Sequence, residues 1–265
     1  MVLRFLIYFY GTYQINREKM VSTLLKSRIL GYEGYDLAHA YGNEKWFGRA
    51  KKIEFINRKK LFITTKFNLS DKNIDLRKEL EGSLERLGTN YVDLYLMHWP
   101  YPNNYINAWK QMENLYKEGK ARAIGVCNFQ IRHLEELLKN CDVIPMVNQI
   151  EIHPLNTEKE IIKYCKEKSI QVQAYCPLGL MQEKIVKNSI LNRLAVKYNK
   201  SIPQIILKWN IQNGIIPLPK STKYKRLKQN IDIFDFELDK NEIQEIDSLN
   251  ENYKIYIPEK YCKGY

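Results

Sequence analysis

No stretch of this 265-residue sequence approaches the run of about eighteen apolar residues that a membrane-crossing helix needs, so no membrane partner is expected. The apolar opening, Met1 to Tyr10, contains Arg4 and leads into no small-residue cleavage site, which reads as a strand rather than a signal peptide. No two glycines are spaced as GxG, and neither a P-loop nor a GxSxG elbow occurs, which excludes the usual dinucleotide fingerprint, phosphate loop and serine nucleophile. The five cysteines (Cys127, Cys141, Cys165, Cys176, Cys262) are odd in number, scattered and without a CxxC pair or a zinc spacing with histidine. No metal site is expected, and reduced thiols point to the cytoplasm. Proline- and glycine-rich linkers are missing, as are internal repeats, so residues 1–265 are expected to form one domain.

Acidic residues are also in short supply, 30 against 42 basic ones, for a net charge of +12. Such an excess raises the question of a nucleic-acid partner. The lysines, however, are spread over helix faces: Lys159, Lys163, Lys166 and Lys168 alternate with Glu158, Glu160 and Glu167. Lys51-Lys52 and Lys59-Lys60 are pairs rather than arms, and no nucleic-acid-binding motif accompanies them. No nucleic-acid partner is expected. The positive field would help attract an anionic cofactor.

What is present is an alternation of short β-branched or aromatic runs with longer amphipathic stretches. Strands are expected near 4–10, 34–38, 61–66, 92–97, 122–126, 146–150, 171–175 and 214–218. Helices are expected near 17–30, 44–56, 72–87, 105–118, 131–139, 158–168, 202–213 and 222–230. Asp71 is the candidate N-cap of the third helix, Leu76, Leu80, Leu84 and Leu87 its buried stripe, and Gly88 its C-terminal stop. A strand followed by a helix, eight times over, implies an α/β architecture, a (β/α)8 barrel with extra helices near 188–199 and 239–248. In such a barrel, chemistry sits at the C-terminal ends of the strands and in the loops beyond them.

Four titratable residues occupy such positions: Asp36, Lys66 and His98 at the ends of strands two, three and four, and Tyr41 in the loop after strand two. Reducing a carbonyl needs a hydride donor and an acid for the forming alkoxide. Tyrosine, with an ordinary pKa of about 10, is a weak acid unless a neighbouring ammonium lowers it. Lys66 is expected to do so, Asp36 to keep Lys66 charged, and His98 to orient the substrate oxygen, with Trp99 excluding water. Singly each has a bland explanation, as a cap, a surface lysine or a structural histidine. Together, at successive strand ends, they favour carbonyl chemistry. His39, His133 and His153 are read as structural.

The matches extend along most of the chain. They include Gly11-Thr12-Tyr13, Asp36 through Glu44, Phe62 through Lys66, Asp93 through Pro100 and Gly119 through Phe129. They continue through Val147 to Pro154, Ala174 to Gly179, Pro219-Lys220-Ser221 with Arg226 and Asn230, and Ile233 to Phe236. With these segments the chain resembles the aldo-keto reductase family, and its short loop after Pro100 and short C-terminus resemble the compact prostaglandin F synthase and diketogluconate reductase-like branch. The resemblance implies NADPH-dependent reduction of aldehydes or ketones by a monomer, with Tyr41 as proton donor and Asp36, Lys66 and His98 completing a tetrad. It implies cofactor contacts from Gly11, Thr12, Tyr13, Asn128, Gln149, Tyr175 and Leu178. Asn128 and Gln149 would hold the carboxamide, and Tyr175 would stack on the nicotinamide. Lys220, Ser221 and Arg226 would grip the 2′-phosphate, and Asn230 would contact adenine. Tyr13, Trp46, Asn68 and Trp99, with the tail around Tyr256 and Ile257, would shape the substrate pocket for a small carbonyl compound.

Several positions depart from the family pattern. Leu37 stands for a usual Thr, Cys127 and Cys176 for serines that contact the cofactor, and Gln229 for a Glu near adenine. Thiols are weak hydrogen-bonding groups, so weakened cofactor binding is expected. The family's N-terminal hairpin has no counterpart, since Tyr8-Phe9-Tyr10 occupies the approach to Gly11; it is expected to be missing, at a cost in stability. These departures motivate an alternative, a non-catalytic or weakly active cofactor-binding regulatory barrel.

Overall fold

The computed structural model describes residues 9–68, 74–102 and 104–265. Eight strands run in one parallel sheet in the order β1 to β8: β1 (Phe9–Gly11), β2 (Gly34–Asp36), β3 (Phe62–Phe67), β4 (Leu94–Met97), β5 (Ile124–Cys127), β6 (Val147–Glu151), β7 (Gln171–Tyr175) and β8 (Ile216–Pro217). The Gly11 amide donates to the Pro219 carbonyl just beyond β8 (3.1 Å), which draws the two edges together. A β-carbon at Gly11 would lie 2.8 Å from the Leu218 carbonyl oxygen, so only glycine permits that approach.

The helices are α1 (Arg17–Ile29), α2 (Glu44–Ile53), α3 (Leu76–Leu87), α4 (Tyr105–Lys117), α5 (Ile131–Asn140), α6 (Lys159–Glu167), α7 (Glu183–Val186), α8 (Ser189–Tyr198), α9 (Ile202–Gln212), α10 (Tyr224–Ile231) and α11 (Lys240–Asp247). The barrel helices pack an outer core that includes Phe47, Leu80, Trp109, Met112, Leu134 and Trp209 against the outward residues of the strands. Alternation puts Leu94, Leu96, Cys127 and Val147, and opposite them Phe9, Ile216 and Leu218, on the inner face, with Phe62 touching both groups. The side chains of both groups are buried inside the barrel, and Cys127 and Leu218 among them reach the cavity at its C-terminal end.

The fold agrees with the sequence-based expectation, with corrections of detail. The third helix starts at Leu76, not near 72, because Asp75 caps it: its carboxylate accepts from the Arg77 and Lys78 amides (3.1 and 3.2 Å). Asp71, the cap expected from the sequence, lies outside the described residues, as do residues 4–8 of the first expected strand and the missing-hairpin expectation. The leucine stripe of α3 is buried, and Gly88 ends the helix in the left-handed region (φ 62°). The extra helices are α8 and α11; the short α7 before α8 was not anticipated. No helix among the described residues is long and apolar enough to cross a membrane.

Candidate active site

The C-terminal strand ends open into a cavity of about 680 Å3 whose lining includes Asp36, Tyr41, His98 and Trp99. Beneath it, Lys66 is buried and reaches inward from β3. Its Nζ donates to Asp36 Oδ2 (2.6 Å), to the Leu37 carbonyl (3.0 Å) and to the Tyr41 hydroxyl (3.4 Å). The other Asp36 oxygen accepts from Gln149 Nε2 (2.8 Å), which also donates to Gln173 Oε1 (3.0 Å). The four expected residues are therefore one cluster, with the Tyr41 and His98 rings 5.8 Å apart.

The loop carrying Tyr41 is fastened on both sides. Asn43 Nδ2 donates to the Thr12 carbonyl and hydroxyl (3.0 and 2.8 Å). Buried Glu44 accepts from the Thr65 hydroxyl (2.5 Å) and from Arg86 Nε (2.7 Å). Thr65 precedes Lys66, so Glu44 ties the tyrosine loop to the lysine strand. Asn43, Glu44 and Gln173 are support residues that sequence reasoning missed; polar residues at inward or loop-start positions were the available signal.

One electrostatic expectation is corrected. Tyr41 is not made more acidic in this structure: withdrawal from solvent pushes its pKa above the ordinary value, and the Lys66 ammonium offsets this only in part. Burial acts against the charge on Lys66, but the Asp36 carboxylate and then Tyr41 act the other way, and the net direction is upward. His98 is held down to about 3, by burial first and the Lys66 charge second, so its imidazole is neutral. Its Nδ1 is buried and has no hydrogen-bond partner among the described residues. The resulting set is a neutral phenol, a fixed ammonium and a neutral imidazole facing one space.

The residues expected around a nicotinamide cofactor are distributed along the same cavity. Gly11, Tyr13, Asn128, Gln149, Tyr175 and Leu178 line it, whereas Thr12 lies behind the wall, donating to the Asp36 carbonyl (2.7 Å). Asn128 holds φ 62° and links two neighbours, donating to the His98 carbonyl (3.0 Å) and accepting from the Tyr175 hydroxyl (2.9 Å). At the far end Lys220, Ser221, Arg226 and Asn230 contribute lining. No carboxylate among the described residues pairs with Lys220 or Arg226. An elongated anion suits this arrangement: amides and an aromatic at one end, two unneutralised cations at the other. Cys127, expected to weaken cofactor contacts, lines the cavity, and burial pushes its thiol pKa up, so it is a neutral group.

The substrate-side expectations divide. Tyr13, Asn68, Trp99 and Tyr256 line the cavity. Trp46 and Ile257 do not; Trp46 packs under the Arg17 and Arg49 guanidiniums (5.8 and 4.9 Å). Tyr261 stacks flat on Trp99, with centroids 5.5 Å apart, and is a wall residue the sequence did not disclose. Of the other histidines, His39 pairs with Glu79, His133 Nδ1 accepts from the Gln130 amide (3.1 Å), and buried His153 contacts Glu151 (3.0 Å).

A parallel eight-stranded barrel with this cluster at its strand ends defines a class of barrel oxidoreductase. Residues 8–251 match the model of the aldo/keto reductase family, and the chain belongs to that family. It is 43% identical over 247 residues to the glyoxal reductase of Bacillus subtilis (strain 168), covering 92% of this chain and 89% of the relative. It is 39% identical to the methylglyoxal reductase DkgA of Escherichia coli (strain K12), over 92% of this chain and 90% of that one. Among solved structures it resembles a Bombyx mori aldo-keto reductase in complex with NADP, with a TM-score of 0.89 at 32% identity, covering 98% of this chain and 93% of that one. The chain is thus an NADP-dependent oxidoreductase that reduces aldehydes or ketones. The reductase names of the relatives go against the regulatory-barrel alternative.

Proposed function

We propose that this single-domain, monomeric, cytoplasmic enzyme reduces small aldehydes and ketoaldehydes with Tyr41 as the proton donor. The observation carrying this reading is Lys66 Nζ, which bridges Asp36 and the Tyr41 hydroxyl at the floor of a cavity that also reaches two unneutralised cations. NADPH, when bound, supplies the hydride. The carbonyl oxygen sits between the Tyr41 hydroxyl and the His98 ring. His98, which burial and the Lys66 charge keep neutral, positions that oxygen by donating a ring N–H to it. As charge develops on the oxygen, the Tyr41 proton passes to it, giving the alcohol. The phenolate left behind is stabilised by the Lys66 ammonium, which Asp36 keeps charged. Burial therefore keeps Tyr41 protonated until an alkoxide, a much stronger base than water, is present to take the proton.

Asn128 and Gln149 orient the nicotinamide and Tyr175 covers it, while Lys220, Ser221 and Arg226 hold the 2′-phosphate and Asn230 the adenine. Tyr13, Asn68 and Trp99 enclose the substrate. The relatives' names, glyoxal and methylglyoxal reductase, support small dicarbonyls as substrates. Purified protein is expected to oxidise NADPH with methylglyoxal or 4-nitrobenzaldehyde. Tyr41→Phe should lower kcat by roughly 10²–10⁴ while NADPH still quenches protein fluorescence; wild-type turnover in that variant would reject Tyr41 as the acid.

A further inference from the structure

The mechanism leaves several buried carboxylates without a role, and Glu151 is one whose partners border the cavity. Glu151 ends β6, two residues past Gln149, and is 3% exposed. No lysine or arginine pairs with it among the described residues; its oxygens face the C-terminal segment instead. Oε1 accepts from the Ile255 amide (2.6 Å) and faces His153 Nε2 (3.0 Å), and Oε2 accepts from the Tyr256 amide (3.0 Å). Both carboxylate oxygens are thus spent on consecutive backbone amides 104 and 105 residues away. A second tie, Lys254 to Glu158 (2.9 Å), fastens the same stretch from its other side.

Held there, Tyr256 becomes part of the cavity wall. Its ring lies 5.8 Å from Tyr175 and 6.2 Å from Tyr13, and Tyr13 lies 4.9 Å from Tyr41. The far end of the segment closes over Trp99 through Tyr261, and the Tyr265 hydroxyl accepts from Gln130 Nε2 (2.8 Å). Those contacts are a ring stack and a single hydrogen bond, whereas the Glu151 clamp is charge-assisted and buried, where such bonds are strongest.

We propose that Glu151 is a positioning residue that clamps the C-terminal strap through the Ile255 and Tyr256 amides and so sets the substrate wall formed by Tyr256. Its effect on turnover rests on the carbonyl-reductase reading; the clamp itself does not. An amide in place of the carboxylate turns one acceptor into a donor facing a donor, so the strap loses one amide anchor while the side chain keeps its size.

The test uses the full chain carrying Glu151→Gln, Tyr256→Ala and both. Glu151→Gln is expected to raise KM for methylglyoxal about tenfold with kcat changed less than about twofold, and to leave the Kd for NADPH unchanged. In the Tyr256→Ala background, the same substitution should add less than about twofold to KM, since its effect runs through that ring. Hydrogen exchange at the Ile255 and Tyr256 amides should quicken about tenfold in Glu151→Gln, with exchange in the barrel strands unchanged. Full additivity of the two KM effects, or unchanged exchange at those amides, would overturn the proposal. If no carbonyl is reduced by the wild-type protein, the functional reading fails, and the exchange measurement still decides the clamp.

Discussion

The two ends of the cavity are built on opposite principles. At the barrel end, Asp36, Tyr41 and Lys66 satisfy one another, and Gln149, Gln173 and Leu37 take up what remains. At the other end, Lys220 and Arg226 are exposed and have no carboxylate partner among the described residues. A closed network is costly to disturb, and in the proposed mechanism its charges need no rearrangement when the alkoxide forms. An open pair of cations contributes little to folding and is left to be neutralised by whatever anion arrives. The contrast predicts that substitutions at the first end damage the fold as well as the reaction, and that substitutions at the second touch binding alone.

The sharpest way to break that contrast is Lys66→Met. It leaves the Asp36 carboxylate 6% exposed on its side chain and without its ammonium. Removing one partner of a buried ion pair costs about 3–5 kcal/mol, so urea unfolding should show a loss of that size along with loss of turnover. Adding Asp36→Asn to Lys66→Met should recover part of the stability and none of the activity. A Lys66→Met protein as stable as wild type would mean that the pair is not the closed unit described here.

The residue types of the closed end were legible in the sequence because they stand at the ends of short strand-like runs, and a barrel brings successive strand ends together whatever the loop lengths. Polarity and order were therefore enough to gather Asp36, Lys66 and His98. Less local facts were hidden. The pKa direction of Tyr41 depends on how dry its surroundings are, which residue spacing does not report. Trp46 sits on a helix close in sequence to Tyr41, yet the helix turns it toward Arg17 and Arg49. The choice between Asp71 and Asp75 as cap turned on four residues of helix phase, and boundaries are the weakest part of a periodicity reading. Glu151 stands inside a segment that carries the family resemblance, but its partners lie more than a hundred residues on, and no local pattern foretells them.

His98 tests whether the closed end is also where acid acts. Unfolded, the ring takes up a proton as pH falls through about 6.5; folded, burial and Lys66 delay this to about 3. Between those values the unfolded chain binds more protons, so stability is fully present above pH 6.5 and declines as pH falls toward 3. His98→Gln removes this term. Denaturant midpoints measured from pH 7 to pH 4.5 should fall more steeply in wild type than in the variant, and parallel curves would show that His98 is not held neutral.

The smallest expected effect belongs to the open end and asks for an absence as much as a change. Arg226→Ala removes one cation that no carboxylate neutralises, so unfolding stability should stay within about 0.5 kcal/mol of wild type. A charge-assisted hydrogen bond to phosphate is worth about 1.5–3 kcal/mol, which corresponds to roughly a ten- to hundredfold rise in the Kd for NADPH. NADH lacks the 2′-phosphate, so its Kd should hardly move, and the ratio of the two is the diagnostic quantity. Raising salt should weaken NADPH binding to wild type more than to the variant, because screening and the substitution remove the same attraction. Equal losses for both cofactors would place Arg226 against a part of the molecule they share, and the open cations would then have another purpose than phosphate discrimination.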